Sequence, residues 1–512
     1  MSSGIGGQDK HVPDDQWPTS GPSPLISTTG VPTARQYRQS RRAEQIARRA
    51  VKRIISDNSP ATQPIPIVER LRGTPYSKPY EMSAPPDAEA RRILDFALSV
   101  GETMLRSGAG TADVEVSVIA VAAACGLKDV DVDLTYQTVM VHYTTFDGRP
   151  LTVLGVNRSE SISFARLSAV HQLVSDLANG RLEREDAIAR MDAIKTQPKP
   201  FNRWLVSLSW AVLSGALVVL LGGGWLGALV GTFMTFSMDR LGRRLARTGM
   251  PYMFNVLIVA LLTTTVAMLL ARVGLPIGPQ YVIAAGLVPL LPTMSLFSAA
   301  QDAITNFPLT AAGRMINVLM AMAAIVSGIG MGTLIGRSVG LNEIDVLVSG
   351  LSPLAASILG VLMAFIVAGT GSIAHQSRRR LVLPSAAVGS VGFIVMLVMQ
   401  QFGFGPILVP AVAAAVVSIL ASVIALRLGA PPVTVIIPGI FPLLPGLSIF
   451  GAAYQLVQPE EAVSLATSLS SLFAALGATA ALAVGAVFGN FIASPLRTRR
   501  KTPGNGGNPL VG

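Results

Sequence analysis

From Trp204 onward the chain is a succession of long apolar runs, and no other feature restricts its fold as much. In hydrocarbon every backbone N–H and C=O must be paired within the chain, so such runs read as helices that cross a bilayer. They fall at about 204–221, 223–238, 252–270, 279–298, 314–336, 346–371, 382–400, 405–426, 432–452 and 463–492, ten in all, with only Gly222, Gly223 and Gly224 between the first two. Many are rich in Gly and Ala, which suits closely packed membrane helices. Composition agrees, with 50% hydrophobic and 13% charged residues, against roughly 25% charged in soluble domains.

The basic residues orient the runs. Loops 239–249, 300–314, 375–380 and 427–431 and the tail 495–501 hold nearly all the Lys and Arg of this half, whereas the alternate loops keep just Arg272 and Arg337. The positive-inside rule then places both termini in the cytoplasm and expects anionic lipid at the basic loops. It also accounts for much of the net charge of +11, so no nucleic-acid partner is expected.

Before the runs lies a different kind of sequence. Residues 1–85 are polar and Pro-rich and read as a disordered, basic N-terminal region and linker. Within it, Arg35 to Ile55 places Ala47, Val51, Ile54 and Ile55 at helical spacing; this segment is either an amphipathic helix on anionic lipid or a solvated basic tail. The N-terminus lacks the apolar core of a signal peptide, so residues 1–200 are expected to stay cytoplasmic.

Residues 86–200 read as a small cytoplasmic α/β domain. Two helical patterns, the second capped by Thr111, precede an alternating stretch folded at Asp147-Gly148 into a two-stranded hairpin. Two helices, from Ser163 and Arg184, close the unit. Glu102, Ser107, Asp113, Glu115 and His142 lack the nucleophile elbow or phosphate loop that would frame them as catalytic groups, so no enzyme is expected. A single cysteine, Cys125, and four scattered histidines suit neither a disulfide nor a metal site, and no cofactor is expected.

The most informative motif occurs twice. Gly286 to Ala300 reads GLVPLLPTMSLFSAA and Gly439 to Ala453 reads GIFPLLPGLSIFGAA, with nine identities in fifteen positions at an offset of 153. The copies fall in the fourth and ninth runs, so residues 204–336 and 346–492 form two five-helix repeats, followed by a disordered cytoplasmic tail at 493–512. An odd number of spans inverts the second repeat relative to the first. The expected fold is therefore a polytopic α-helical membrane protein of two inverted five-helix repeats, an architecture used for alternating access.

Pro289 and Pro292 remove the helical donors of the Ala285 and Val288 carbonyls, and Pro442 and Pro445 do the same to Pro438 and Phe441. Freed carbonyls and broken-helix ends suit a zwitterion's ammonium and carboxylate, with Ser295 and Ser448 supplying hydroxyls. The alternative is a packing kink with serines bonded to their own turns. Asn306, Asn317 and Tyr454 are polar enough to line a path, and Asp302, Asp239 and His375 are the candidates for proton coupling. Asp302 leads them, with an ordinary loop carboxylate or a partner for Arg314 as its alternative. The motif is expected to bring both prolyl breaks and both serines to one cavity, with Asp302 near its cytoplasmic mouth.

These residues resemble the threonine/serine exporter family of bacterial inner-membrane proteins, in its actinobacterial form with a fused cytoplasmic domain. The resemblance spans Pro86 to Pro495 and rests on GETMLRSGAGTADVEVSVIAVAAACG, VPLLPTMSLFSA and FPLLPGLSIFGA. It implies export of L-threonine and L-serine driven by the proton motive force. Family members often place an arginine before the Val-Glu that is Val114-Glu115 here, whereas this chain has Asp113. Another small polar amino acid, an organic acid, or a membrane receptor or assembly platform are the alternative readings, and association into a homo-oligomer stays open.

Overall fold

The computed structural model describes residues 87–145, 147–157, 161–340, 353–456 and 464–494. The expected basic N-terminal region and linker, residues 341–352 with the start of the expected run 346–371, residues 457–463 and the C-terminal tail lie outside the described residues.

The first layer is the α/β domain. Helix α1 (Asp87–Arg106) and helix α2 (Thr111–Ala124) pack on a three-stranded antiparallel meander of β1 (Val130–Leu134), β2 (Thr138–Thr144) and β3 (Pro150–Val156). The hairpin pairs Thr144 with Pro150 around Gly148, which takes φ +75°. The sequence reading expected two strands; the third, VDVDL, alternates Val130, Val132 and Leu134 with Asp131 and Asp133 and pairs its whole length with β2. Val130, Leu134, Val139, Val141 and Val153 are buried under the helices. Helices α3 (Phe164–Ala178) and α4 (Arg184–Thr196) complete the unit, α3 capped by Ser163 Oγ on the Arg166 amide.

The second layer is helical. The first set of helices holds α5 (Arg203–Leu220), α6 (Trp225–Arg247), α7 (Tyr252–Arg272), the bent pair α8 (Pro279–Leu287) and α9 (Thr293–Ile304), and α10 (Pro308–Ser338). The second set holds α11 (Pro353–Ala374), α12 (Arg379–Gln401), α13 (Leu408–Leu428), the bent pair α14 (Val433–Ile440) and α15 (Gly446–Gln455), and α16 (Leu465–Ile492). Among the described residues seven helices are long and apolar enough to cross a membrane, and nine if each bent pair is one span. Helix α6 is 23 residues long but carries Asp239, Arg240, Arg243, Arg244 and Arg247 in its second half, and falls outside that set.

The neighbours of each helix repeat from one set to the other. Helix α8 packs on α5, α6 and α7, as α14 packs on α11, α12 and α13. The pair α7 with α10 corresponds to α13 with α16, and the crossed contacts α9 with α16 and α15 with α10 correspond to each other. Small residues permit the tightest pairs. A Cβ on Gly485 or Gly489 would strike the Ala411 or Ala415 carbonyl of α13, and Gly332 and Gly336, 153 positions earlier, pack closely on Leu261, Thr264 and Met268 of α7.

Candidate functional site

The two proline motifs fold alike. Each half-helix passes into a single 3-10 turn, Val288–Leu290 or Phe441–Leu443. One extended residue follows, Leu291 (φ −63°, ψ 129°) or Leu444 (φ −67°, ψ 131°), before Pro292 or Pro445 opens the next half-helix. The resulting bends are 54° and 52°.

The expectation that the prolines strand four carbonyls is corrected by this geometry. The Ala285 carbonyl accepts from the Val288 amide and the Val288 carbonyl from the Leu291 amide. The Pro438 and Phe441 carbonyls accept from Phe441 and Leu444 in the same way. Tightening from α to 3-10 supplies an i+3 donor where the i+4 donor is a proline, so the break costs the bundle no orphaned acceptor at these positions. What remains available to a solute is the pair of helix ends with their dipoles.

Each break borders its own cavity. The first motif lines one of about 580 Å³ through Pro289, Pro292 and Ser295, together with Asn317, His375 and Tyr136 of the α/β domain. The second motif lines another of about 840 Å³ through Pro442, Pro445 and Ser448, with Gln400 and Gln455. Ser295 and Ser448 therefore do not share a cavity, contrary to the single chamber expected from the sequence. The larger one lies among the far ends of α5 and α12, away from the ends that meet the α/β domain. Between the two chambers the motifs touch, since a Cβ on Gly446 would lie 3.0 Å from the Ala284 carbonyl oxygen and 3.3 Å from Val288.

His375, just after α11, lines the first chamber. Its ring stacks on Phe164 at 5.3 Å and lies 5.4 Å from Trp210 and 5.3 Å from Phe441, while Nδ1 is 3.0 Å from the Gly371 carbonyl. Burial among these rings pushes the imidazole down to about 4, so it stays neutral near pH 7. The backbone continues the contact: the His375 and Gln376 carbonyls accept from the Phe164 and Ala165 amides that begin α3.

Asp239 on α6 accepts from Ser207 at 2.6 Å and from Arg243 at 2.7 and 3.0 Å. It borders a smaller cavity of about 260 Å³ that also reaches Pro289 and Leu290. Asp302 on α9 borders none of these cavities. It is fully buried, 2.9 Å from Arg314 Nε, and its other oxygen accepts from the Thr111 amide at 3.1 Å. The N-cap of α2 is Gly110 rather than the expected Thr111, and Gly110 offers no side chain. The carboxylate that serves this helix end thus comes from the membrane helices.

The surrounding loop explains the glycines of the SGAGT segment. Gly108 sits at φ +95° against Met294, and a Cβ at Gly110 would meet Gln301, so the α/β domain rests its backbone directly on α9. Thr310 donates to the Leu134 carbonyl at 3.2 Å, and Asn317 donates to Tyr136 Oη at 2.6 Å. None of these contacts was expected, because nothing in either partner's local pattern records a neighbour so far along the chain.

Two candidates lie elsewhere. Asn306 is exposed at φ +66° between α9 and α10, a turn position that asparagine tolerates. Tyr454 is buried against Phe450 with centroids 5.8 Å apart. His142 Nδ1 lies 2.8 Å from Thr152 Oγ1 across the sheet, a cross-strand pair rather than part of a catalytic set.

A bundle of long apolar helices broken twice by the same motif, with a chamber at each break, is the architecture of a multi-pass membrane transport protein. Comparison with known proteins gives the family. A family model described as "Putative threonine/serine exporter" matches residues 95–336, and one described as "Threonine/Serine exporter, ThrE" matches residues 360–492. The chain is 32% identical to a "Probable threonine/serine exporter" of Mycobacterium tuberculosis over 80% of its own length and 78% of the relative's. It is 30% identical to a "Threonine/serine exporter" of Corynebacterium glutamicum over 79% and 83%. A "Probable succinate transporter subunit" of Klebsiella aerogenes is 26% identical over 49% of this chain and 93% of its own. No solved structure matches the chain. The chain belongs to the threonine/serine exporter family, whose named members are transporters and not enzymes.

Proposed function

We propose that the chain exports L-threonine and L-serine from the cytoplasm in exchange for protons, by alternating access of the two proline-lined cavities. The observation that carries this reading is the duplicated break: the same backbone bend lines one chamber beside the α/β domain and another at the far ends of the helices. Ten spans in two inverted repeats, with residues 86–200 and both termini cytoplasmic, make the chambers related halves of one path. The end of α8 and the start of α9 meet at Pro289 to Pro292, so a zwitterion there finds a negative helix end for its ammonium and a positive one for its carboxylate. Ser295, in the first turn of α9, adds a hydroxyl to the same place, and Ser448 does so in the other chamber.

For coupling, Asp239 already reaches a cavity, whereas Asp302 gains access only when α2 withdraws from it. Counterflow in proteoliposomes with threonine, serine, other amino acids and succinate, with and without a pH gradient, tests the assignment. Exchange of succinate with none of threonine or serine would overturn it. Asp239→Asn and Asp302→Asn are then compared for counterflow and proton-driven flux. Full proton-driven flux in both variants would remove both carboxylates from the coupling step.

A further inference from the structure

A fourth cavity, of about 470 Å³, lies where the α/β domain meets the loop between α11 and α12, away from both proline motifs. Five cations line it: Arg166, Lys199, Arg378, Arg379 and Arg380. Among the described residues that line it there is no carboxylate, and none of the five forms an ion pair. Their hydrogen bonds go to neutral acceptors. Arg166 Nη2 donates to the Lys195 and Gln197 carbonyls at 3.4 and 3.5 Å, Lys199 to Ser161 Oγ at 3.3 Å, and Arg378 to Gln172 Oε1 at 3.0 Å. Such bonds orient Arg166, Lys199 and Arg378 and leave their charge uncompensated.

The helix behind them aggravates this imbalance. Arg378, Arg379 and Arg380 occupy the N-cap and first two positions of α12, 23 residues long, with no side-chain cap. The positive end of the helix dipole favours anions there and is opposed by cations. The like charges act on one another as well: burial first, and then Arg190 and Arg380, hold Arg378 below its usual range, and burial with Arg166, Arg203 and Arg243 does the same to Lys199. The positive-inside rule explains why a cytoplasmic loop is basic. It does not require the cations to converge on a cavity shared with a folded domain.

We propose that this cavity is a binding site for a phosphate group, which bridges the α/β domain to the start of α12. A phosphate oxygen accepts from guanidinium forks bidentately and from helix N-terminal amides, so one ligand answers both imbalances. The source is either the headgroup of an anionic phospholipid or a free phosphate compound of the cytoplasm. The site lies outside the proposed solute path and stands independently of the exported substrate.

The test uses the full chain in uncharged detergent and reads its unfolding midpoint against increasing probe, because a ligand of the native state raises that midpoint with concentration. The probes are phosphatidylglycerol against phosphatidylcholine in mixed micelles, and inorganic phosphate against chloride at matched ionic strength. A rise with phosphatidylglycerol alone assigns the site to lipid, and a rise with both assigns it to the phosphate group whatever its carrier. Arg379 and Arg380 are exposed, so R379Q/R380Q is expected to fold and to need about tenfold more probe or greater for the same rise. R379K/R380K should retain much of the effect, and R244Q/R247Q, which removes two cations from a different cytoplasmic segment, should retain all of it. No rise with either probe, or an equal rise in R379Q/R380Q and the unaltered chain, would overturn the proposal.

Discussion

Asp302 has no exposed surface, so its charge depends on Arg314 and on the Thr111 amide. Removing one partner of such a pair leaves the other charged and buried, at about 3–5 kcal/mol. Asp302→Ala is therefore expected to lower the unfolding midpoint sharply, and D302A/R314M to recover much of the loss; additive losses would refute the pairing as the cause. The sequence already held one part of this, because Arg314 is a turn-separated neighbour of Asp302. The Thr111 contact was illegible, since the partners are 191 positions apart. His375 makes a second prediction. Its folded value of about 4 lies below the unfolded 6.5, so unfolding takes up a proton between those values. Its contribution is present above pH 6.5 and fades as pH falls toward 4. His375→Phe, which keeps a ring in the aromatic box, should flatten that part of the curve of unfolding midpoint against pH, and an unchanged slope would count against a buried neutral imidazole.

At the scale of elements, glycine positions that look alike in sequence are expected to differ in cost. Gly485 faces the backbone of Ala411, which cannot turn aside, whereas Gly336 faces the flexible side chain of Met268. Gly485→Ala should thus destabilise by roughly 1–3 kcal/mol, and Gly336→Ala by clearly less, as read from thermal unfolding in detergent. Equal effects would mean that α13 and α16 relax more readily than their contact implies. The broken helices were legible because proline removes a donor wherever it stands. Their 3-10 repair was not, since it depends on torsion angles that the same residues do not dictate locally. Strand β1 was missed for a different reason: its polar half is aspartate, which is depleted in strands, yet Val130, Val132 and Leu134 keep the alternation.

Considered whole, the molecule has its α/β domain seated over the chamber at Pro289 and Ser295, with Tyr136 contributing to its wall. If export requires that domain to lift, fixing it should stop transport. A Cβ on Gly313 lies 3.3 Å from Tyr136 Cβ, close to the separation a disulfide requires, about 3.5–4.5 Å. Y136C/G313C should lose flux on oxidation and regain it on reduction, and full flux in the oxidised state would show that the domain need not move. Cys125 will not interfere, because it is buried and its thiol is pushed up to about 12. The helical runs, their loop charges and the duplicated motif were all local patterns and so were readable. The seating of one layer on the other was not, because it is written only in contacts between distant segments.

The borrowed carboxylate at the start of α2 also sets an order of events during synthesis. Thr111 leaves the ribosome 191 residues before Asp302, a wait of roughly 10 to 40 s at 5–20 residues per second. For the last 106 residues of that interval, after Thr196 has emerged, every residue of the N-terminal domain's sheet and helices is present but the Asp302 carboxylate for the Thr111 amide is not, and its glycine loop has nothing to rest on. The nascent domain is thus a waiting partner, finished only when α9 has been made and has brought Asp302 to it.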